Sequence, residues 1–272
     1  MTGRLAVGLL LTFLWLSSEA AAGFISLQTT VTCAVTERGV KAEVSILNLG
    51  DEAATDLRVE ARCLDVSRVS PARRRLEPGE TWELSIGLDP RPDRPGAYPV
   101  QILVDFHDHK GRLYTALSYS SFAYEEGTTP MVFSEPVVLE LKDKKRLTVP
   151  LINKDQAPHE VRLRLVLPRE LAAAAPEQRL RLEAGERREV SFELENRSAL
   201  PGASYPVLAF IQYQSHGRNH LAVSENQARV ARFEPFFKRY RFHLLVAAGL
   251  LMLAVLGLEL DQRRRLKPEQ GD

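Results

Sequence analysis

Val40, Ala42, Val44 and Ile46 alternate with Lys41, Glu43 and Ser45, a period of two that predicts a strand with one face in a core and one in water. Leu57, Val59, Ala61 and Cys63 repeat the pattern against Arg58, Glu60 and Arg62, and Val161, Leu163, Leu165 and Leu167 repeat it against Arg162, Arg164 and Val166. Trp82, Leu84 and Ile86 continue it until Pro90, Pro92, Pro95 and Gly96 interrupt. The stretches 100–106 and 113–122 read as the arms of a hairpin around His109-Lys110-Gly111. Away from the chain ends, Arg169–Ala175 is the one stretch that favours a helix, and it predicts a short turn in a crossover. Strands spaced by roughly 8–12 residues, with turn residues between them, predict an all-β fold of the sandwich kind.

Two apolar runs near the ends break the alternation. Arg4, the run Leu5–Leu16 and the small residues Ala20, Ala21, Ala22 and Gly23 have the parts of a secretory signal, expected to be cleaved after Ala22 or Ala20. As a helix that run would cover about 18 Å, short of a hydrocarbon core of about 30 Å. The second run, Phe242 to Leu258, passes through Leu251 and is expected to cross the membrane once, as a helix over 242–260. Phe236, Phe237 and Tyr240 make an aromatic collar on its near side, mixed with Lys238, Arg239 and Arg241; Arg263, Arg264, Arg265 and Lys267 follow it. Both flanks are basic, so the export signal decides the orientation: bulk outside, residues 261–272 in the cytoplasm.

Between these runs the chain repeats itself. Leu76-Glu77-Pro78-Gly79-Glu80 recurs 106 residues on as Leu182-Glu183-Ala184-Gly185-Glu186. Pro95-Gly96-Ala97-Tyr98-Pro99-Val100 recurs as Pro201-Gly202-Ala203-Ser204-Tyr205-Pro206-Val207, with one serine inserted. Gly111-Arg112 matches Gly217-Arg218, and Asn48 and Asn153 each end an apolar run. Ordered matches of this kind indicate a tandem duplication.

A strand ending in Asn48-Leu49-Gly50, a Leu-x-Pro-Gly-Glu turn and a Pro-Gly-x-Tyr-Pro-Val strand entry resemble the bacterial and archaeal Ig-like modules called CARDB and NEW3. The resemblance implies two tandem Ig-like β-sandwiches, of a type used on exported envelope proteins for adhesion, spacing or accessory binding. The expected organisation is then a signal peptide over 1–22, one sandwich over 23–125, a linker over 126–130, a second sandwich over 131–235, and the membrane helix and tail.

Composition limits the function. The 272 residues carry a net charge of +1, so no basic excess points to nucleic acid. Charged residues at 26% and apolar residues at 44% are ordinary globular values. With two cysteines the chain cannot form a four-cysteine zinc site. Cys33 and Cys63 both fall on the inward phase of their strands, and an oxidising exterior favours a disulfide between them over two separate buried thiols. Asp105, His107, Asp108 and His109 cluster at a hairpin tip, where a solvated polar turn is favoured over a metal site. Arg73, Arg74 and Arg75, with Arg179, Arg181, Arg187 and Arg188 in copy two, read as solvated strand edges or as a basic stripe for an acidic polymer. No Gly-x-Ser-x-Gly elbow, His-Glu-x-x-His or Gly-rich phosphate loop is present.

The expected function is a non-catalytic scaffold or binding protein without cofactor or metal, anchored in a bacterial inner or plasma membrane. The bacterial assignment comes from Arg- and Ala-rich, Lys-poor usage. Its partners would be the membrane itself and a protein or polysaccharide of the envelope. The alternatives are a carbohydrate-binding accessory subunit and a periplasmic chaperone that lends a strand, with Leu113, Leu117 and Tyr119 lining its edge.

Overall fold

The computed structural model describes residues 23–37 and 39–231, together with positions 240, 243, 246, 247 and 249. The first sandwich holds β1 (Leu27–Thr36), β2 (Gly39–Asn48), β3 (Ala54–Cys63), β4 (Val66–Val69), β5 (Arg73–Leu76), β6 (Thr81–Leu88), β7 (Gly96–His107) and β8 (Leu113–Tyr124). The second holds β9 (Val132–Ser134), β10 (Val138–Leu141), β11 (Lys144–Asn153), β12 (His159–Val166), β13 (Leu171–Ala173), β14 (Glu177–Leu182), β15 (Arg187–Asn196), β16 (Ser204–Ser215) and β17 (Arg218–Val230).

In the first copy a sheet ordered β1-β2-β6 packs on β8-β7-β3, with β4 and β5 both paired to β3. In the second, β13-β15-β11-β9 packs on β14-β12-β16-β17, and β10 runs parallel to β17. First, second and fifth main strands on one side, with third, sixth and seventh on the other, is the strand order of an immunoglobulin sandwich. The fold is therefore all-β, as the alternation requires. Inward positions of each copy form separate cores, with Ile46, Leu57 and Ile102 fully buried in one and Leu147, Leu163 and Phe192 in the other.

Repeated motifs explain themselves in the turns. Asn48 and Asn153 are almost wholly buried. Asn48 donates through Nδ2 to the carbonyls of Glu52 and Leu76 and accepts from Gly50 N–H, joining its strand end to the opposite sheet. Asn153 does the same with Ala157, Glu183 and Asp155. Glu80 N–H donates to Glu77 carbonyl with Gly79 at φ 75°, so Pro78 and Gly79 occupy the middle of a turn that needs a positive φ at its third residue. Gly185 repeats this at φ 71°. Ala184 replaces Pro78 without changing the turn, because the second position asks only for an ordinary negative φ.

One local expectation holds only in part. Arg169 and Glu170 do sit in a single turn, closed by Leu171 N–H donating to the Pro168 carbonyl at 3.1 Å, but Leu171–Ala173 is the short edge strand β13, paired with β15. Leu171 is buried in the second core, and that tertiary contact overrides the helix preference of the alanines. The expected signal peptide and almost all of the expected span, including Phe242, Leu251, Leu258, Arg263, Arg264 and Arg265, lie outside the described residues. His243, Val246, Ala247 and Gly249 are described and helical. Among the described residues no helix is long and apolar enough to cross a membrane.

Candidate functional site

Both Pro-Gly-x-Tyr-Pro motifs build the same device. Tyr98 donates its hydroxyl to the carbonyl of Arg94 at 2.8 Å, and the Tyr205 hydroxyl accepts from Leu200 N–H at 2.9 Å. A tyrosine at the start of the sixth main strand, bonded to backbone a few residues upstream, is the tyrosine corner of immunoglobulin sandwiches. Gly202, at φ 83°, turns the chain into the second corner. The motif is thus architectural.

Cys33 and Cys63 are free thiols in this structure, Cys63 buried and Cys33 half-buried at the edge of the same core. Burial pushes the Cys63 thiol up to about 12, with Cys33 and Asp65 adding to the effect. At the hairpin tip Asp108 is buried and accepts from the N–H groups of Lys110 and Arg112 and from the Arg112 guanidinium. Burial works against its charge, but those hydrogen bonds outweigh it and hold the carboxyl below its usual range. His109 contacts Glu52, and Asp105 accepts from Thr115 at 2.7 Å. Asp105, Asp108 and His109 are thus engaged with protein partners, whereas the buried His107 Nδ1 has none among the described residues.

Among the described residues, all the arginines of the expected basic stripe except Arg74 have an acidic partner. Arg73 meets Glu80, Arg75 meets Glu77 at 2.5 Å, and Arg181 meets Glu183 at 2.9 Å. Arg179, Arg187 and Arg188 pair with Glu177, Glu135 and Glu186. Alternating Arg and Glu along exposed strands cancel locally, which favours the solvated-edge reading over a continuous basic stripe.

The largest feature missed by pattern reading is a seam between the two copies. Leu103, Leu117, Val166, Leu208, Phe210 and Leu221 form a third buried apolar cluster on the outer faces of β7, β8, β12, β16 and β17. Tyr119 packs edge-on against Phe210 with ring centroids 6.0 Å apart, and its hydroxyl donates to Glu225 at 2.9 Å. Burial and that carboxylate push the phenol up to about 12. Leu117 and Tyr119 thus face the second copy, while β8 itself pairs with β7 alone among the described strands and Leu113 is exposed.

Polar bonds fix the alignment. Asn219 donates its N–H to Pro95 carbonyl at 2.8 Å and its Nδ2 to Ala97 carbonyl at 2.6 Å. A parallel bridge between Asn219 and Gly96 makes one ten-stranded sheet of the two inner sheets. Gly96 sits at φ 135°, and a Cβ there would lie 2.1 Å from the Asn219 carbonyl oxygen, so only glycine fits. Thr115 N–H donates to Glu170 Oε1 at 2.9 Å, and Arg169 pairs with Asp105 at 2.7 Å. Burial pushes the Glu170 carboxyl up. The segment between the sandwiches, a free hinge by composition, is tied by Glu126 to Arg218 and by Thr128 to the Asn219 carbonyl. A signal for the seam existed: Val207-Leu208-Ala209-Phe210-Ile211 is unbroken rather than alternating, the mark of a strand covered on both faces.

A second feature lies at the far side of the first copy. Between β6 and the β4–β5 connection, a groove of about 620 Å³ is lined by Arg68, Val69, Pro71, Trp82, Leu84 and Ser85, among others.

No family model and no curated protein matches the chain. Solved structures do. Escherichia coli alpha-2-macroglobulin in its native conformation is 11% identical over 77% of this chain, at a TM-score of 0.33, and the chain spans only 17% of that protein. The ASH/PapD-like domain 7 of human CEP192 is 13% identical over 44% of this chain and 99% of that domain, at a TM-score of 0.27. A protein of unknown function from Porphyromonas gingivalis W83 is 14% identical over 75% of this chain and 99% of its own, at 0.29. Likenesses this distant carry no argument about activity. The architecture rests on the strand order above.

Proposed function

We propose that the chain is a non-catalytic binding scaffold, anchored by its C-terminal apolar run in a bacterial inner or plasma membrane, that presents two docked Ig-like sandwiches outside the cytoplasm to an envelope partner. The observation that supports it best is the seam. Each apolar side chain withdrawn from water there contributes roughly 1.5–3 kcal/mol, and the bonds around Asn219 and Glu170 give the two copies one relative orientation. A fixed pair of sandwiches offers a partner a preformed surface and avoids the ordering cost that a flexible pair would incur on binding. Asp108 is held by its turn, and Tyr119 and Glu170 by the seam, structural settings for all three.

Anchoring is tested with alkaline phosphatase, which is active only outside the cytoplasm. Fused after Ala231 it is expected to be active, and fused after Asp272 inactive. Activity of the Asp272 fusion would reject the anchored topology. The carbohydrate-binding alternative is tested by a glycan array probed with the chain, where saturable binding to one glycan class would replace the scaffold reading.

A further inference from the structure

We infer that the open edge of β6 is a docking groove for an extended segment of a partner protein, one that alternates apolar and acidic side chains and adds to the first sandwich as a further strand. The inference builds on the scaffold reading, because it names the surface at which a partner is engaged; it does not depend on the membrane anchor.

The duplication supplies an internal control. In copy two, β13 follows β12 in the chain and pairs antiparallel with β15, from Leu171 opposite Asn196 to Ala173 opposite Leu194. Farther along the same edge, Gln178 donates its side-chain Nε2 to the Ser191 carbonyl at 2.8 Å. The edge of β15 is thus occupied twice, once by a strand and once by an amide side chain. In copy one the segment at the same place in chain order, β4, turns the other way and pairs with β3, from Cys63 opposite Val66 to Glu60 opposite Val69. Ala72 stands where copy two has Gln178, aligning Leu76 with Leu182, and an alanine side chain has no donor to offer. Among the described residues β6 pairs with β2 alone.

The equivalence also fixes which backbone groups are open. Ser191 matches Ser85, and the bond from Gln178 shows that the carbonyl at this position points away from the sheet. In an antiparallel ladder the N–H and C=O of one residue point the same way and alternate along the strand. Glu83, Ser85 and Gly87 therefore present both groups to the outer side, and Ser85 and Gly87 line the groove. Six residues from Trp82 to Gly87 give about 20 Å of edge, long enough for one short added strand.

The walls describe the occupant. Trp82 and Leu84 are half-buried and stand where copy two has Arg188 and a buried Val190, so the first copy leaves apolar surface at its open side. Val69, across the groove, is 59% exposed. The charged residues lining it are Arg68 and Arg73, and no acidic residue lines it. Arg73 is paired with Glu80 and lies over the Trp82 ring, whereas Arg68 and the neighbouring Arg74 make no ion pair among the described residues. Free backbone groups, an apolar wall and the unpaired Arg68, with Arg74 beside the groove, match a strand whose side chains are apolar on the inner face and acidic at the rim.

The test is binding of a fluorescein-labelled alternating Glu-Val peptide of about ten residues to the full-length chain in detergent, read by anisotropy, with the Lys-Val peptide as charge control. Saturable binding of the Glu-Val peptide alone is expected. Ser85→Pro removes an outward N–H without touching the β2 ladder, and it is expected to weaken binding by about tenfold or more. Ala72→Gln installs the amide with which copy two occupies this edge, and it is expected to weaken binding similarly while leaving the fold intact, which covers the case in which the proline variant fails to fold. Absence of saturable binding, equal binding by Ala72→Gln, or equal binding of the Lys-Val peptide would each overturn the inference. The phosphatase fusions report on topology alone, so failure of one reading leaves the other's result legible.

Discussion

At the scale of residues, the most demanding positions are polar groups held inside. Asn48 satisfies two carbonyls and one N–H from a buried position, and removal of its side chain strands all three. Asn48→Ala is expected to cost about 2–3 kcal/mol, the penalty of unpaired buried groups, measured as a shift in the chemical denaturation midpoint; a loss below about 0.5 kcal/mol would show that water replaces the amide. Glu170 is the converse case, a carboxyl raised above its usual range because burial penalises its charge, with Asp105 adding to the rise and Arg169 opposing it. Its folded form holds the proton at pH values where the unfolded form has released it, so stability contributed by this group is present below the ordinary carboxylate value and lost as pH rises through the folded one. Glu170→Gln keeps an acceptor for Thr115 N–H and carries no charge. The variant is therefore expected to be more stable than the parent at neutral pH and to show a flatter decline from about pH 4.3 upward, read from thermal midpoints across pH. A steeper decline would contradict the assignment.

Among elements, the alternation made β2, β3, β6 and β12 legible, because one face of each meets a core and the other meets water. The tyrosine corners and glycine turns were legible as repeated motifs, though not as hydrogen bonds. Three things were hidden for physical reasons. The helix preference of Arg169–Ala175 gave way to burial of Leu171. The different partners of β4 and β13 depend on pairing across the sandwich, which local pattern does not encode. The seam joins residues distant in the chain, Thr115 with Glu170 at 55 positions and Ala97 with Asn219 at 122, and its trace was an unbroken apolar run that also fits an ordinary buried strand. Gly96 belongs to this scale, since its missing Cβ lets β7 approach β17. Gly96→Ala is expected to push the copies apart, raising the radius of gyration in small-angle scattering and lowering the thermal midpoint by several degrees; an unchanged radius would show that docking does not depend on that approach.

At the scale of the whole molecule, two similar sandwiches have diverged in their edges and kept their cores. The second closes its edge with β13 and Gln178, and the first leaves β6 open beside an apolar, arginine-bearing groove. Docking through Asn219, Glu170 and the Phe210 cluster holds that groove in a constant place relative to the second copy. The central claim is that the copies behave as one body. Amide hydrogen exchange tests it most directly at Asn219 and Thr115, whose N–H groups donate across the seam to Pro95 and Glu170. The account predicts protection at both amides approaching that of Ile102 in the first core. Exchange of Asn219 and Thr115 at the rate of an unstructured peptide, with Ile102 still protected, would mean that the sandwiches move independently.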